Sequence, residues 1–207
     1  MDHPTAVTER GEETRRRILD VAGRSFAEYG YQGTSFSHLV AATGLTKGAF
    51  YFHFASKEAL ALAAFAHAQE RWVTAVVRRL PIDAPAADRL RSLLRAAVRF
   101  YKEDPAGRCV FRLCLELGED PRLRPTLAPH LALWEDLVES LVRLAQEQGD
   151  YRADLDPRVV ARVAVAAFVG VTDVARAMTG GQDLARRAEE FLHVFESGLR
   201  RTGRERA

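Results

Sequence analysis

The chain has 207 residues, of which 47% are hydrophobic and 28% charged, and its formal net charge is +2 at pH 7. That length leaves room for one or two domains with a sizeable core, and the composition is that of an ordinary globular protein. No apolar run reaches the roughly 18 residues a membrane-spanning helix needs, and the near-neutral charge excludes a polycationic chain that would hold nucleic acid by bulk electrostatics alone.

Met1-Asp-His-Pro lacks the basic-then-apolar layout of a signal peptide. The two cysteines, Cys109 and Cys114, give no disulfide framework; on one helix they point roughly 140° apart. The expectation is a cytoplasmic protein with reduced thiols.

Apolar residues recur at helical spacing throughout, and neither alternating β-branched runs nor hairpin dipeptides occur, so the fold class expected is all-α with about nine helices. Residues 1–11 are polar and expected to fray. A first helix is predicted from Glu12 to Tyr29, burying Ile18, Ala22, Phe26 and Tyr29, with Gly30 to end it. Thr34 or Ser35 caps a second helix through Thr43 that buries Phe36, Leu39 and Val40. Thr46 caps a short third helix ending near His53, and Ser56 a long fourth running to about Leu80, with Glu58 in its first turn.

Pro81 and Pro85 mark a joint, with the domain boundary expected near Arg79–Asp83. A fifth helix is predicted over 86–103 and a sixth over about Gly107–Leu117. Pro121, Pro125 and Pro129 make Gly118–Pro129 a loop or broken helix, so the seventh helix is expected over His130–Gln148. Pro157 opens the eighth, to about Met178, and Gly180-Gly181 separates it from a ninth carrying Leu184, Ala188, Phe191, Leu192, Phe195 and Leu199. The eighth helix is apolar nearly all round, which implies cover on both faces. A C₂ homodimer built on the eighth and ninth helices supplies that cover; a central core helix of a monomer is the alternative.

Residues 43–54, Thr-Gly-Leu-Thr-Lys-Gly-Ala-Phe-Tyr-Phe-His-Phe, are the most informative stretch. Gly44 supplies the break a helix-turn-helix requires. Small residues allow close approach to a DNA backbone, and Lys47, Tyr51 and His53 supply phosphate donors. Charge alone does not lead there. The first 60 residues hold seven Lys/Arg (Arg10, Arg15, Arg16, Arg17, Arg24, Lys47, Lys57) and seven Asp/Glu (Asp2, Glu9, Glu12, Glu13, Asp20, Glu28, Glu58). What counts is where the cations sit.

The segments Thr14-Arg-Arg-Arg-Ile-Leu-Asp-Val-Ala, Phe26-Ala-Glu-Tyr-Gly-Tyr, Thr34-Ser-Phe-Ser-His-Leu-Val-Ala-Ala-Thr-Gly and Gly48-Ala-Phe-Tyr-Phe-His-Phe-Ala-Ser-Lys-Glu-Ala-Leu, in this order, resemble the TetR family of transcriptional regulators over residues 12–72. Within it, Thr46-Lys-Gly-Ala-Phe-Tyr-Phe-His-Phe is most similar to the γ-butyrolactone autoregulator receptors. The Trp134, Arg152-Ala-Asp-Leu-Asp-Pro and Ala166-Ala-Phe-Val-Gly-Val stretches resemble them more loosely. The chain departs in placing Ala68, with Gln69 beside it, where those receptors often carry glutamine.

The resemblance implies a DNA-binding domain at 12–72, with its helix-turn-helix at 35–54, and a ligand-binding and dimerisation domain at 80–203. Expected DNA contacts are Thr46, Lys47, Gly48, Tyr51, His53 and Lys57, with Ser35 and Ser37 from the second helix. A solvated lysine, a half-buried tyrosine and an inert helix-end histidine are the bland readings of Lys47, Tyr51 and His53. Trp134 offers a flat apolar wall and one N–H donor to a ligand, or is simply core. Phe65, Gln69, Trp72 and Thr172 are further pocket candidates. Arg112 and Asp173, polar on otherwise apolar helices, are expected to be paired or at the surface.

The six histidines (His3, His38, His53, His67, His130, His193) show no metal-binding spacing, and no nucleophile elbow, phosphate loop or dinucleotide fingerprint is present. Neither enzyme activity nor a cofactor is implied. The function expected is a homodimeric, ligand-responsive repressor of transcription that binds a palindromic double-stranded operator and releases it to a small apolar effector. The alternative is a ligand-independent helical DNA-binding or interaction protein.

Overall fold

The computed structural model describes residues 5–201. Met1–Pro4, with the N-terminal layout and His3 read above, lie outside the described residues, as do 202–207 with the end of the expected 80–203 domain. Among the described residues there are nine α-helices and no strand: α1 Thr5–Gly33, α2 Phe36–Thr43, α3 Lys47–His53, α4 Lys57–Val76, α5 Ala86–Glu103, α6 Pro105–Gly118, α7 Arg124–Glu147, α8 Pro157–Thr179 and α9 Leu184–Leu199. The chain forms two compact units, Met1–Val73 with Asp104–Arg124, and Thr74–Glu103 with Pro125–Ala207.

In the first unit α1 packs against α6 and α2. Its core holds Ile18, Ala22, Phe26, Leu39, Phe50, Leu60, Phe65, Trp72 and Leu113. Polar stitching runs along one side: His67 Nε2 lies 3.0 Å from Asp20, and Arg71 donates to Asp104 at 2.7 Å. In the second unit Leu90, Leu93, Leu127, Val142 and Ala161 are buried, and Tyr101 meets Phe168 edge-on at 6.4 Å. The Arg91–Glu196 and Arg95–Glu189 pairs tie α5 to α9.

Several expectations are corrected. Helix α1 begins at Thr5 rather than Glu12; a polar segment without proline continues a helix once its neighbour is nucleated. Tyr29 is exposed and turns its ring edge to His38 at 5.9 Å, while Phe36 is only half-buried. Helix α4 ends at Val76 and tightens into a 3₁₀ turn, Val77–Arg79.

Helix α7 begins at Arg124 and takes in both Pro125 and Pro129. Pro125 stands in the first turn, where no amide is bonded within the helix, and Pro129 just beyond it, so little of the ladder is lost. Helix α6 begins at Pro105 because Asp104 accepts the Ala106 amide at 2.9 Å.

Candidate nucleic-acid interface

The helix-turn-helix is built from local signals. Ser35 Oγ accepts the His38 amide at 3.0 Å and starts α2. Gly44 ends it with φ 67°, a left-handed conformation that favours glycine, and its amide bonds back to Ala41. Arg17 donates to the Thr43 carbonyl at 2.9 Å, placing a cation at the negative end of α2. Three residues on, Thr46 Oγ1 accepts the Ala49 amide at 3.3 Å and starts α3.

Phe50 is fully buried and Phe54 nearly so. These two anchors, four residues apart, press one side of α3 into the core. The Phe36 ring meets both Phe50 and Tyr51 edge-on, each at 5.2 Å.

Lys47, Gly48, Tyr51 and Phe52 are left facing outward. Tyr51 is 51% exposed and Phe52 85%. A Cβ at Gly48 meets nothing within 4 Å, so the α3 backbone there is open to a close partner. Ser35, Ser37 and Thr46 are exposed on the same motif, and His53 is half-buried with its ring edge against Phe52.

Lys57 differs from the others. Its ammonium stands 4.2 Å from the centroid of the Tyr31 ring, and partial burial pushes its pKa down against the opposing pull of Glu116. Phe52 escaped the sequence reading, although once Phe50 and Phe54 take the inward positions, the residue between them must point about 200° away.

The candidate ligand residues fall in both units. On α4, Phe65, Gln69 and Trp72 share one buried stripe, and Trp72 meets Phe111 perpendicularly at 5.7 Å. Gln69 is 6% exposed, and its side-chain carbonyl has no hydrogen-bond partner among the described residues. Leaving such an acceptor unmet costs about 1–3 kcal/mol. Trp134, half-buried on α7, and Thr172, buried on α8, belong to the second unit. Thr172 gives its hydroxyl proton to the Val169 carbonyl at 2.9 Å. Arg112 and Asp173 are paired, with Glu116 and Arg176. Cys109 and Cys114 are free and buried; burial pushes their thiols up to about 12 and about 11. Among the described residues, no helix is long and apolar enough to cross a membrane.

A capped, outward-facing second helix after a three-residue turn, carried on an otherwise helical chain, defines a helix-turn-helix protein of the two-part, all-α kind. Residues 18–64 match the model of the bacterial regulatory proteins of the tetR family, and residues 86–191 match the tetracyclin repressor-like C-terminal domain. The chain belongs to the TetR family.

It is 33% identical over 196 residues to the A-factor receptor protein of Streptomyces griseus, covering 91% of this chain and 64% of that protein. The chain thus spans somewhat under two thirds of that relative's length. The transcriptional repressor AcnR of Corynebacterium efficiens is 28% identical, covering 91% of this chain and 93% of that one. A solved γ-butyrolactone receptor, an ArpA-like protein, superposes with a TM-score of 0.75 at 30% identity, covering 94% and 92% of the two chains. These relatives are regulators and receptors by name.

Proposed function

We propose that this chain is a dimeric transcriptional repressor that leaves its operator when a small, largely apolar effector of the butyrolactone type binds. The observation that carries the DNA half is the open face of α3, where Lys47, Gly48, Tyr51 and Phe52 project while Phe50 and Phe54 hold the helix down. Residues 12–72 act as the DNA-binding domain. Lys47, Tyr51 and His53 donate to phosphates, Ser35, Ser37 and Thr46 add hydroxyl contacts, and Gly48 lets the backbone approach. With few long polar side chains on α3, DNA shape contributes to specificity.

Residues 80–203 act in ligand binding and dimerisation, with Trp134 and Thr172 as effector-binding candidates in the second unit; Phe65, Gln69 and Trp72 of α4 are the candidates in the first. The effector half rests on Gln69, whose buried carbonyl calls for a donor. Helix α4 starts just after α3 and reaches Gln69 about 18 Å further along its axis. A shift of α4 on effector binding therefore moves the head. To swing the population from 1:99 to 99:1, the effector needs a preference of about 5.5 kcal/mol for the released geometry.

A homodimer follows from the outer stripe of α8, where Val159, Val163, Val174 and Met178 are exposed, and from exposed Val194 on α9. A Cβ on Gly170 or Gly198 would meet nothing within 4 Å among the described residues. A second copy seated here gives the assembly two α3 helices, one for each half-site of a palindrome. The role is regulatory and non-enzymatic, exercised in the cytoplasm.

An electrophoretic shift with the chain's own upstream region, with and without culture extract, is the test. A retarded band that extract abolishes supports the whole reading. A band that extract never changes favours the ligand-independent alternative, and no band with any duplex removes the DNA half.

A further inference from the structure

Helix α1 is broken, not merely bent, at Gly30, where φ is 75° and ψ 178°. In a continuous helix the Tyr31 amide bonds to the Ala27 carbonyl and the Gln32 amide to the Glu28 carbonyl. Here both amides donate to Glu116 Oε2, at 2.7 and 3.2 Å. The two carbonyls accept instead from Arg112 Nη1, at 3.3 and 2.7 Å. Arg112 Nε donates to Glu116 Oε1 at 3.0 Å and closes the chain of bonds. One ion pair on α6 has thus replaced two consecutive rungs of the α1 ladder, supplying a donor where carbonyls were freed and an acceptor where amides were.

Gly30 is what admits it. A Cβ there would lie 2.3 Å from Glu116 Oε1 and 2.8 Å from Arg112 Nε and Nη2. The break leads directly into the helix-turn-helix. The Gly30 carbonyl accepts from the buried Thr34 hydroxyl at 2.7 Å, and the next residue, Ser35, caps α2. Tyr31, just past the break, carries the ring on which Lys57 rests.

We propose that Arg112 and Glu116 are positioning residues for DNA recognition. From α6 they wedge α1 open at Gly30 and so set the direction in which residues 31–53 present α3. A displacement of α6 by about 1 Å takes these bonds beyond hydrogen-bonding range. The freed amides and carbonyls then find each other, α1 straightens, and the head turns. The inference rests on the DNA-binding reading above and names the part of the chain that holds the binding-competent geometry.

The experiment uses the full chain and a duplex that the wild-type protein enriches from a random-sequence pool. The double exchange Arg112→Glu with Glu116→Arg keeps an oppositely charged i,i+4 pair on α6, but sets donors against amides and acceptors against carbonyls. It is expected to lower affinity for that duplex about tenfold or more, within the usual range of coupling between sites. Amide exchange at Tyr31 and Gln32 should accelerate, with the melting temperature and the oligomeric state held as controls.

Glu116→Gln, which keeps the shape and loses the charge, should show the same faster exchange with a smaller loss of affinity. Wild-type affinity in the exchanged variant, or unchanged protection at both amides in Glu116→Gln, overturns the proposal. A wild-type chain that enriches no duplex overturns the DNA-binding reading itself, a result distinguishable from failure of the wedge alone.

Discussion

The ammonium of Lys57 stands 4.2 Å above the ring of Tyr31, at the start of α4 and just past the break in α1. Part of its charge is therefore engaged within the protein, whereas Lys47 at the start of α3 is exposed. The two lysines should then differ in the salt dependence of operator binding. Lys47→Ala is expected to weaken binding and to reduce the log–log salt slope by about 1; Lys57→Met should change the slope by clearly less. Fluorescence anisotropy titrations at several salt concentrations measure both. Equal slopes for Lys47→Ala and wild type would remove Lys47 from the phosphate contacts.

Phe50 and Phe52 make a second contrast. Phe50 is fully buried, so Phe50→Ala should cost about 3–5 kcal/mol in urea unfolding. Phe52 projects into solvent, so Phe52→Ala should leave stability within about 0.5 kcal/mol while lowering affinity for the operator. Loss of stability in Phe52→Ala, or undiminished binding, contradicts a surface contact to DNA.

Gln69 offers the sharpest separation of stability from response. Replacing it by leucine removes a buried acceptor that lacks a partner, so the unfolding free energy should hold or rise by about 1 kcal/mol. Operator binding should persist, and release by the effector should weaken. A strongly destabilised Gln69→Leu protein would show that the carbonyl serves the fold.

The thiols give a pH prediction. Burial raises Cys109 from 9.0 to about 12 in the folded chain. The neutral thiol is retained while folded, and the unfolded chain ionises first as pH rises. The contribution of this thiol is thus constant below about pH 9, and it lowers native stability between about pH 9 and 12 by roughly 1.4 kcal/mol per pH unit. Cys109→Ala should flatten the dependence of stability on pH between 9 and 10, and native Cys109 should resist iodoacetamide at pH 8 until denaturant is added. Rapid native alkylation would show an accessible thiolate instead.

Much of the head is legible from short-range chemistry. Ser35 and Thr46 are caps, Gly44 is the one residue type that ends α2 cheaply at φ 67°, and Phe50 and Phe54 fix the inward face of α3. What escaped the sequence depends on residues far apart in it. Gly30 reads as a helix end and does break α1, but that Arg112 and Glu116, more than 80 positions away, satisfy the opened backbone is not visible in the local pattern. Pro125 and Pro129 read as breakers, yet near a helix start they break little. Tyr29 has the spacing of a core residue but lies beside His38 at the surface. The orphaned Gln69 carbonyl is a property of packing, which no local pattern announces.

Within the first unit, Arg17, Arg71, Arg112 and Arg122 all have their guanidinium groups bound to carbonyls or carboxylates of the same chain. Cations so occupied displace fewer counterions, which leaves the grip on arbitrary DNA to the exposed ones such as Arg16, Arg24 and Lys47. The protein's residence on random genomic sequence should be shorter than if all of them were free, which speeds the search and leaves the protein free to be captured where groove shape and the α3 contour agree.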